Sequence, residues 1–306
     1  MSLARTPARA RPWILAVALL GASWVVAPAA AGQVGAGAST ATGADSRALA
    51  MGGAYAAIVE GASAAYYNPA ALAWAEDREV VSLYARDFGV VNNLHLSLAL
   101  PTVGATFMLV QVSSEERDAA GDPLAAFSTS EMATWLGFGR PLGKLALGAS
   151  VLAYRQGLRE TSSLGLSLTS GAMAKIGPIR VAAMVRNLPG FVLPGGGDPV
   201  VMASSATLAL AVEGSWWLGT VEYEQPLTAH ATPAPDGATL GGGSLRVGGE
   251  VRLDLVALRA GFWTRDGLWT PTGGVGVALD LGSVDYAYEA HPFLGGSHRV
   301  SLRVRF

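Results

Sequence analysis

The chain has 306 residues, of which 51% are hydrophobic and only 14% are charged, and its formal net charge is −2. Because soluble domains carry about a quarter charged residues, this composition favours a membrane protein. The weakly acidic balance excludes the basic footprint of a nucleic-acid-binding protein, so no nucleic-acid partner is predicted. The sequence contains no cysteine, so disulfides play no part in its stability.

Residues 1–31 have the pattern of a secretory signal peptide. A stretch with three arginines precedes the apolar run from Trp13 to Val26, and small residues follow up to Ala31. We therefore predict export with cleavage after Ala31 and exclude residues 1–31 from the fold. Loss of the three arginines takes the formal charge of the mature chain to −5. A retained anchor helix is the alternative interpretation of the apolar run.

Residues 32–78 form a second segment, which is rich in alanine and glycine. Small side chains permit close packing, and Asn68-Pro69 favours a turn. On these residues alone, the segment either packs tightly within the fold or is a periplasmic leader or a short helix under its rim.

From about Glu79 to the end of the chain, apolar and polar residues alternate. Leucines occupy every second position from Leu94 to Leu100, and residues 284–290 repeat the pattern. Such alternation gives a strand one apolar and one polar face. Past residue 40 no uninterrupted apolar run reaches the ~18 residues of a membrane-spanning helix, and the bilayer otherwise admits only closed barrels. We therefore predict that residues 79–306 form an outer-membrane β-barrel; a soluble β-sandwich is the alternative.

Tight and long connections alternate along residues 79–306. In transmembrane barrels, short periplasmic turns alternate with longer extracellular loops. The alternation predicts an all-β, transmembrane antiparallel barrel of about 14 strands with both chain ends on the periplasmic side. The predicted tight turns lie at 101–104, 141–144, 176–178, 213–215, 253–255 and 282–283, and the longest loops at 115–129, 188–203 and 226–243.

The final strand alternates arginine with apolar residues and ends on Phe306. Val300, Leu302, Val304 and Phe306 are predicted to face lipid. Because arginine is costly in hydrocarbon, the arginines are expected to face a polar lumen and to pair there with acidic side chains. The predicted lumen charge network, structural in role, consists of Arg246, Glu250, Arg259, Asp285, Glu289, Arg299, Arg303 and Arg305, with Glu222, Glu224 and Asp280 as further acidic partners.

The motifs of catalysis are missing from the sequence. No two of the four histidines have metal-ligand spacing on one helix face, and the glycine runs 195–197 and 241–243 lack the strand–turn–helix setting of a phosphate loop. No Gly-x-Ser-x-Gly element occurs. We predict no enzymatic activity, no metal and no cofactor.

Three stretches carry a family resemblance. The segment GADSRALAMGGAYAAIVEGASAAYYNPAALA (43–73) resembles the N-terminal segment of FadL-like outer-membrane proteins, and more closely that of the PorV/PorQ branch. RVGGEVRLDLVALRAGFW (246–263) and residues 284–306 are similar to the same branch. The matched elements are Arg47, Met51-Gly52-Gly53-Ala54, Ala64, Tyr67-Asn68-Pro69-Ala70, Gly249-Glu250, Leu258-Arg259-Ala260-Gly261, Asp285-Tyr286-Ala287 and His298-Arg299-Val300-Ser301-Leu302.

This resemblance implies a location and a role for both chain ends. The expected location is the outer membrane of a diderm bacterium, in contact with outer-membrane lipid. The C-terminal Phe306 resembles the assembly signal that the barrel assembly machinery reads in outer-membrane barrels. Residues 32–78 are expected to fold inside the barrel as a hatch, and the hatch or gating residues are Gly52, Gly53, Asn68, Pro69 and Ala70.

Three functions remain open at this point. Passive passage of hydrophobic small molecules is favoured by the FadL-like resemblance, and the apolar residues 191–193 and 200–202 of a long loop would offer a docking surface for such a ligand. The alternative is a non-conducting partner of the proteins of a type IX-like secretion or surface-assembly machine, as the PorV/PorQ resemblance implies. A general diffusion porin is the weakest interpretation, because the hatch would block its channel.

Overall fold

The computed structural model describes residues 37–118, 120–158, 161–228, 242–265, 267–291 and 295–306. The predicted signal peptide lies outside these ranges. Among the described residues, no helix is long and apolar enough to cross a membrane. The described chain consists of a short helical part, residues 37–78, which we call the inner segment, followed by sixteen strands.

The strands follow one another with little intervening structure. The first eight are β1 (Glu79–Asp87), β2 (Val91–Leu100), β3 (Val103–Arg117), β4 (Pro123–Leu142), β5 (Leu145–Leu158), β6 (Thr161–Ile176), β7 (Ile179–Arg186) and β8 (Gly190–Pro194). The others are β9 (Val200–Val201), β10 (Ser205–Glu213), β11 (Trp217–Pro226), β12 (Ser244–Leu253), β13 (Val256–Arg265), β14 (Leu268–Leu279), β15 (Gly282–His291) and β16 (Gly295–Arg305).

Fourteen of these strands form a closed antiparallel barrel, which confirms the fold predicted from the alternation. Neighbours in the chain pair with one another, β7 pairs with β10, and β1 closes the barrel against β16. The short strands β8 and β9 are additional: β8 pairs with Ser163–Ser167 of β6, and β9 pairs with β8. Closure leaves the wall without a free edge, which is the condition for strands in a bilayer.

The two faces of each strand differ as the period of two requires. In β16, Val300 and Leu302 are 47% and 44% exposed on the outward face, whereas Arg299 and Arg303 are buried on the inward face. An apolar outer band around a polar interior is the arrangement of a transmembrane barrel.

Tight turns lie at one end of the barrel, which we call the turn end, and the longer connections lie at the loop end. Two parts of the predicted loop pattern are wrong. Strands β3 and β4 continue into the predicted loop 115–129 and leave only 118–122 between them, because their polar residues keep pairing beyond the apolar band. The predicted loop 188–203 contains β8 and β9, so apolar residues in it lie in strands that extend from β6 rather than in a free loop.

The inner segment packs against the inward-facing side of the wall. Its first α-helix, α1, begins at Ser46, and the carboxylate of Asp45 caps this helix by accepting the N–H of Arg47 at 2.9 Å. Most of its alanines are fully buried, since small side chains let its backbone approach the strands closely. Its helical elements are the 3₁₀ helices Ala38–Ala41, Gly61–Ser63 and Pro69–Trp74 and the short helices α1 (Ser46–Ala50) and α2 (Ala64–Tyr67).

Candidate functional site

The Asn68-Pro69-Ala70 turn lies directly on the wall. Gly139, Gly148 and Gly171 of β4, β5 and β6 pair with one another across the strands. A Cβ on any of the three would overlap atoms of residues 68–73, including the backbone of Pro69 and Ala70. We call these three glycines the glycine seat. Asn68 is fully buried in it; its Nδ2 donates to the carbonyl of Ala56 at 3.0 Å, and its Oδ1 accepts the N–H of Ala70 at 3.1 Å.

Gly52 and Gly53 lie at a second contact with the wall, on β12 to β14. Both adopt positive φ angles, 66° and 74°, which favour glycine. The N–H of Gly52 donates to the hydroxyl of Thr272 at 2.9 Å, and a Cβ on Gly52 would overlap the backbone of Phe262. This contact combines close backbone approach with hydrogen bonds, whereas the glycine seat relies mainly on shape.

Ion pairs tie the inner segment to β12, β13 and β15. The Nε and Nη2 of Arg47 donate to the two carboxylate oxygens of Glu250 at 2.8 and 2.9 Å. Arg259 donates to the same carboxylate at 2.7 Å and to Asp285 at 2.6 Å. Glu250 therefore joins the predicted lumen residues Arg259 and Asp285 to Arg47, a residue of the inner segment.

The arginines of β16 also point inward. Arg303 binds Asp45 at 2.6 Å and also Glu79, and both carboxylates are buried. Glu79 in turn accepts the N–H of Ala62 at 2.9 Å, so Arg303 is linked to the inner segment directly at Asp45 and, through Glu79, at Ala62. Arg305 donates to Glu79 at 3.0 Å from the turn-end rim, where it is 55% exposed.

Other predicted residues lie at the rims. Arg299 pairs with Asp87 at 3.0 Å and with Glu289 at 3.3 Å near the loop end. Phe306 is exposed, and its N–H donates to the carbonyl of Arg78 at 3.0 Å. Asp280 lies in the exposed turn between β14 and β15, so its predicted place in the lumen network is wrong. Asp280 is exposed because it and Leu281 form the turn, where side chains no longer alternate between the two faces of a strand.

A cavity of about 360 Å³ lies on the loop-end side of the inner segment, and we call it the loop-end cavity. Its apolar lining comes from the inner segment and from the wall. Cavities of this size hold small organic ligands, and an engineered apolar cavity of ~150 Å³ holds benzene. The aromatic and large apolar side chains at its surface are Leu49, Tyr66, Tyr67, Phe88, Met184 and Trp263.

The charges around the loop-end cavity compensate one another. Among the described residues, four arginines and four carboxylates line it. Arg246 donates to Glu222 at 2.6 Å and also to Glu224, and Arg299 binds two of the other carboxylates. The guanidinium of Arg186 lies 5.1 Å from the ring centre of Tyr66. The cavity thus presents aromatic faces beside ion pairs, and the formal charges of the arginines and carboxylates in its described lining sum to zero.

A second cavity of about 340 Å³ lies on the turn-end side, and we call it the turn-end cavity. Its lining combines many charged side chains, Glu250, Arg252, Arg259 and Asp285 among them, with apolar residues of β13 and β14. Arg47 lines this cavity, whereas Gly52 and Gly53 line the other, so residues 47–53 separate the two spaces. We call residues 47–53 the partition. Neither cavity is lined by Asn68, Pro69 or Ala70.

Tyr66 and Tyr67 close the floor of the loop-end cavity. The hydroxyl of Tyr66 donates to the carbonyl of Thr40 at 2.8 Å and accepts the N–H of Gly43 at 2.9 Å, and that of Tyr67 accepts the N–H of Ala44 at 3.0 Å. The ring of Trp135 packs edge-on against Tyr66, with the ring centres 5.0 Å apart.

Alkaline pH is expected to loosen this floor. Burial raises the pKa of the Tyr66 phenol and raises that of the Tyr67 phenol well above its usual value. An unfolded tyrosine ionises near pH ~10, so the unfolded state loses protons that the folded state keeps. The stability that the two buried phenols contribute is therefore complete below pH ~10. Above pH ~10 it declines by up to about 1.4 kcal/mol per group and pH unit.

Urea unfolding at about pH 8 and about pH 11, followed by tryptophan fluorescence, measures this loss. Tyr67→Phe removes one of the titrating groups, so its stability should fall less between the two pH values than that of the unaltered protein. Equal losses in both proteins would contradict a role for Tyr67.

Sequence reasoning missed several residues of this site. Asp45, Arg47 and Tyr66 gave no signal as lumen partners, because they precede the alternating region. Trp135, whose ring packs against Tyr66, is 2% exposed inside the barrel. The glycine seat did leave a signal, since its members occupy inward positions of consecutive strands, where a side chain would ordinarily fill the lumen.

The fold is similar to that of two solved structures, a toluene transporter and a FadL homologue. The toluene transporter TodX of Pseudomonas putida matches with a TM-score of 0.58 and 13% identity over 86% of this chain and 99% of that chain. A FadL homologue of Pseudomonas aeruginosa matches with a TM-score of 0.54 and 12% identity over 86% of this chain and 98% of that chain. At these identities the likeness establishes the fold alone.

No protein-family model matches the chain, and neither does any curated protein. The resemblance to the PorV/PorQ branch therefore stays a prediction.

Proposed function

We propose that this chain is an outer-membrane channel for the passive passage of small hydrophobic molecules. The observation that carries the proposal is the loop-end cavity, where aromatic side chains lie beside mutually compensated charges. A neutral, flat solute such as a monoaromatic hydrocarbon fits this chemistry, because it gains aromatic contacts and leaves the ion pairs intact. The fold likeness to a toluene transporter and a FadL homologue supports the same class of solute and the same membrane.

In the proposed path the solute enters at the loop end and occupies the loop-end cavity. It then passes the partition, whose hydrogen bonds to Thr272 and ion pair to Glu250 hold it against the wall. The turn-end cavity beyond is lined by many charged side chains, so an apolar solute binds weakly there and leaves by diffusion. We assign gating to Gly52 and Gly53 in the partition, and anchoring to Asn68, Pro69 and Ala70 in the glycine seat.

A substitution that fills the loop-end cavity tests the proposal. Ala41 is exposed and lines this cavity, so Ala41→Trp places an indole in the space without displacing buried atoms. We expect uptake of a neutral monoaromatic into proteoliposomes to fall about tenfold, because little of the cavity remains for the solute. Ala125→Trp on the exposed part of β4 is the matched control and should leave uptake unchanged.

Uptake no faster than in empty liposomes would refute the channel. Unaltered uptake by Ala41→Trp would place the path elsewhere. The alternative function, a partner of secretion-system proteins, has no support from the similar structures, and a barrel that passes no solute would bring it forward.

A further inference from the structure

Four polar residues form a row on the outward face of the barrel near the loop end. Tyr288, His298, Arg86 and Asn92 are direct neighbours across β15, β16, β1 and β2. Directly paired side chains in a sheet lie ~4.5–5.5 Å apart at Cβ, so the four form one continuous patch. All four are exposed on the surface that faces lipid. An arginine and a histidine side by side on this surface cost free energy unless an anion or a lipid headgroup binds to them.

Neighbouring groups bond to the side chains of the patch in a way that leaves N–H groups of Asn92, His298 and Arg86 available to donate to a ligand. The Oδ1 of Asn92 accepts the hydroxyl of Tyr84 at 3.2 Å, so the amide nitrogen is the group left to donate. The hydroxyl of Tyr286 lies 2.8 Å from Nδ1 of His298; with the tyrosine as donor, the imidazole proton is on Nε2. Arg86 donates through Nε to the carbonyl of Gly89 at 3.1 Å, which orients a guanidinium that has only donors.

The next row toward the middle of the barrel is apolar. Two residues along each strand lie Tyr286, Val300, Tyr84 and Leu94, again paired across the same four strands. Tyr84, Leu94 and Val300 are exposed to the surroundings of the barrel. A row of donors thus borders a row of apolar and aromatic side chains, which matches a molecule with an anionic head and an apolar body.

We propose that this patch binds the phosphate-bearing headgroup of a membrane lipid at the loop-end leaflet. Arg86, His298 and Asn92 donate to the phosphate oxygens, and the acyl chains lie along Tyr84 and Val300. Arginine and histidine suit phosphate because their hydrogen bonds to it are charge-assisted. A lipid rather than free phosphate is the occupant, since the apolar row adjoins the donors on the lipid-facing surface.

Native mass spectrometry of the refolded full-length mature barrel in detergent tests the proposal. The protein is offered equal amounts of phosphatidic acid and of diacylglycerol with the same acyl chains. We expect roughly tenfold preferential retention of phosphatidic acid, and near-equal retention after Arg86→Gln or His298→Gln. Arg155→Gln is the matched control: Arg155 is an exposed arginine on the same outward surface, between Met132 and Leu164, and should keep the preference.

Each other outcome overturns the proposal. Equal retention of the two lipids by the unaltered protein removes the site, and loss of preference in Arg155→Gln shows general charge attraction. Displacement of phosphatidic acid by inorganic phosphate alone makes free phosphate the ligand. Heat-dependent electrophoretic mobility verifies folding, and the two single variants keep the test decisive if one fails to fold.

Discussion

Gly148→Val is expected to drive the Asn68-Pro69-Ala70 turn off the wall while the barrel itself still closes. The added Cβ would overlap the backbone of Pro69 and Ala70, and a backbone cannot rotate away as a side chain can. Overpacking of a tight interior costs ~1–3 kcal/mol when side chains can adjust, so we expect a cost at or above ~3 kcal/mol here. Valine favours strands, and the ladder hydrogen bonds of β5 stay intact.

Trypsin accessibility reports the displacement. Arg47 is the single lysine or arginine between residues 37 and 77, so cleavage after it is specific for the inner segment. We expect the folded protein to resist this cleavage and Gly148→Val to be cut, with a rise in ion conductance across a planar bilayer. Gly157→Val on the same strand is the control, because among the described residues the atom nearest to its Cβ is the hydroxyl of Ser130 at 3.4 Å. Equal protection of both variants would show that the turn tolerates a side chain in its seat.

Arg303→Met is expected to lower the free energy of unfolding by a comparably large amount, because it removes a buried positive charge. Its guanidinium binds Asp45 and Glu79, and removing it leaves two buried carboxylates without their shared cation. Breaking a buried pair in this way costs ~3–5 kcal/mol, most of it from the uncompensated charges. Asp45 also caps α1, and Glu79 also holds the N–H of Ala62, so the loss reaches the inner segment at two points.

The matched control is Arg305→Met, two residues along the same strand. Arg305 shares Glu79 as a partner but is 55% exposed, so its removal should cost less than about 1 kcal/mol. Urea unfolding in lipid vesicles, followed by tryptophan fluorescence, measures the loss of stability in each of the two variants. Combining Arg303→Met with Glu79→Gln should recover part of the loss, since one of the two carboxylates that lose Arg303 is then neutral. Similar costs for the two single variants would mean that burial does not set the strength of this network.

The charge pattern of the last strand could be derived from the sequence because it is local. Side chains of a strand alternate between two faces, so Val300 and Leu302 had to face opposite to Arg299 and Arg303 wherever β16 lay in the fold. The same reasoning gave no partner for Arg303. Asp45 lies 258 residues away, in a helical segment whose periodicity carries no information about the barrel.

By itself, the sequence determined the closed all-β barrel, its strand count and the inward direction of the arginines. The strand count follows from the alternation of tight and long connections, and the other properties follow from a period of two, low charge and the need to pair every backbone group in lipid. Only the tertiary structure decided that Gly139, Gly148 and Gly171 meet beneath Pro69, and that residues 47–53 separate two cavities. Both depend on strand register and on contacts between distant parts of the chain, which local alternation does not encode.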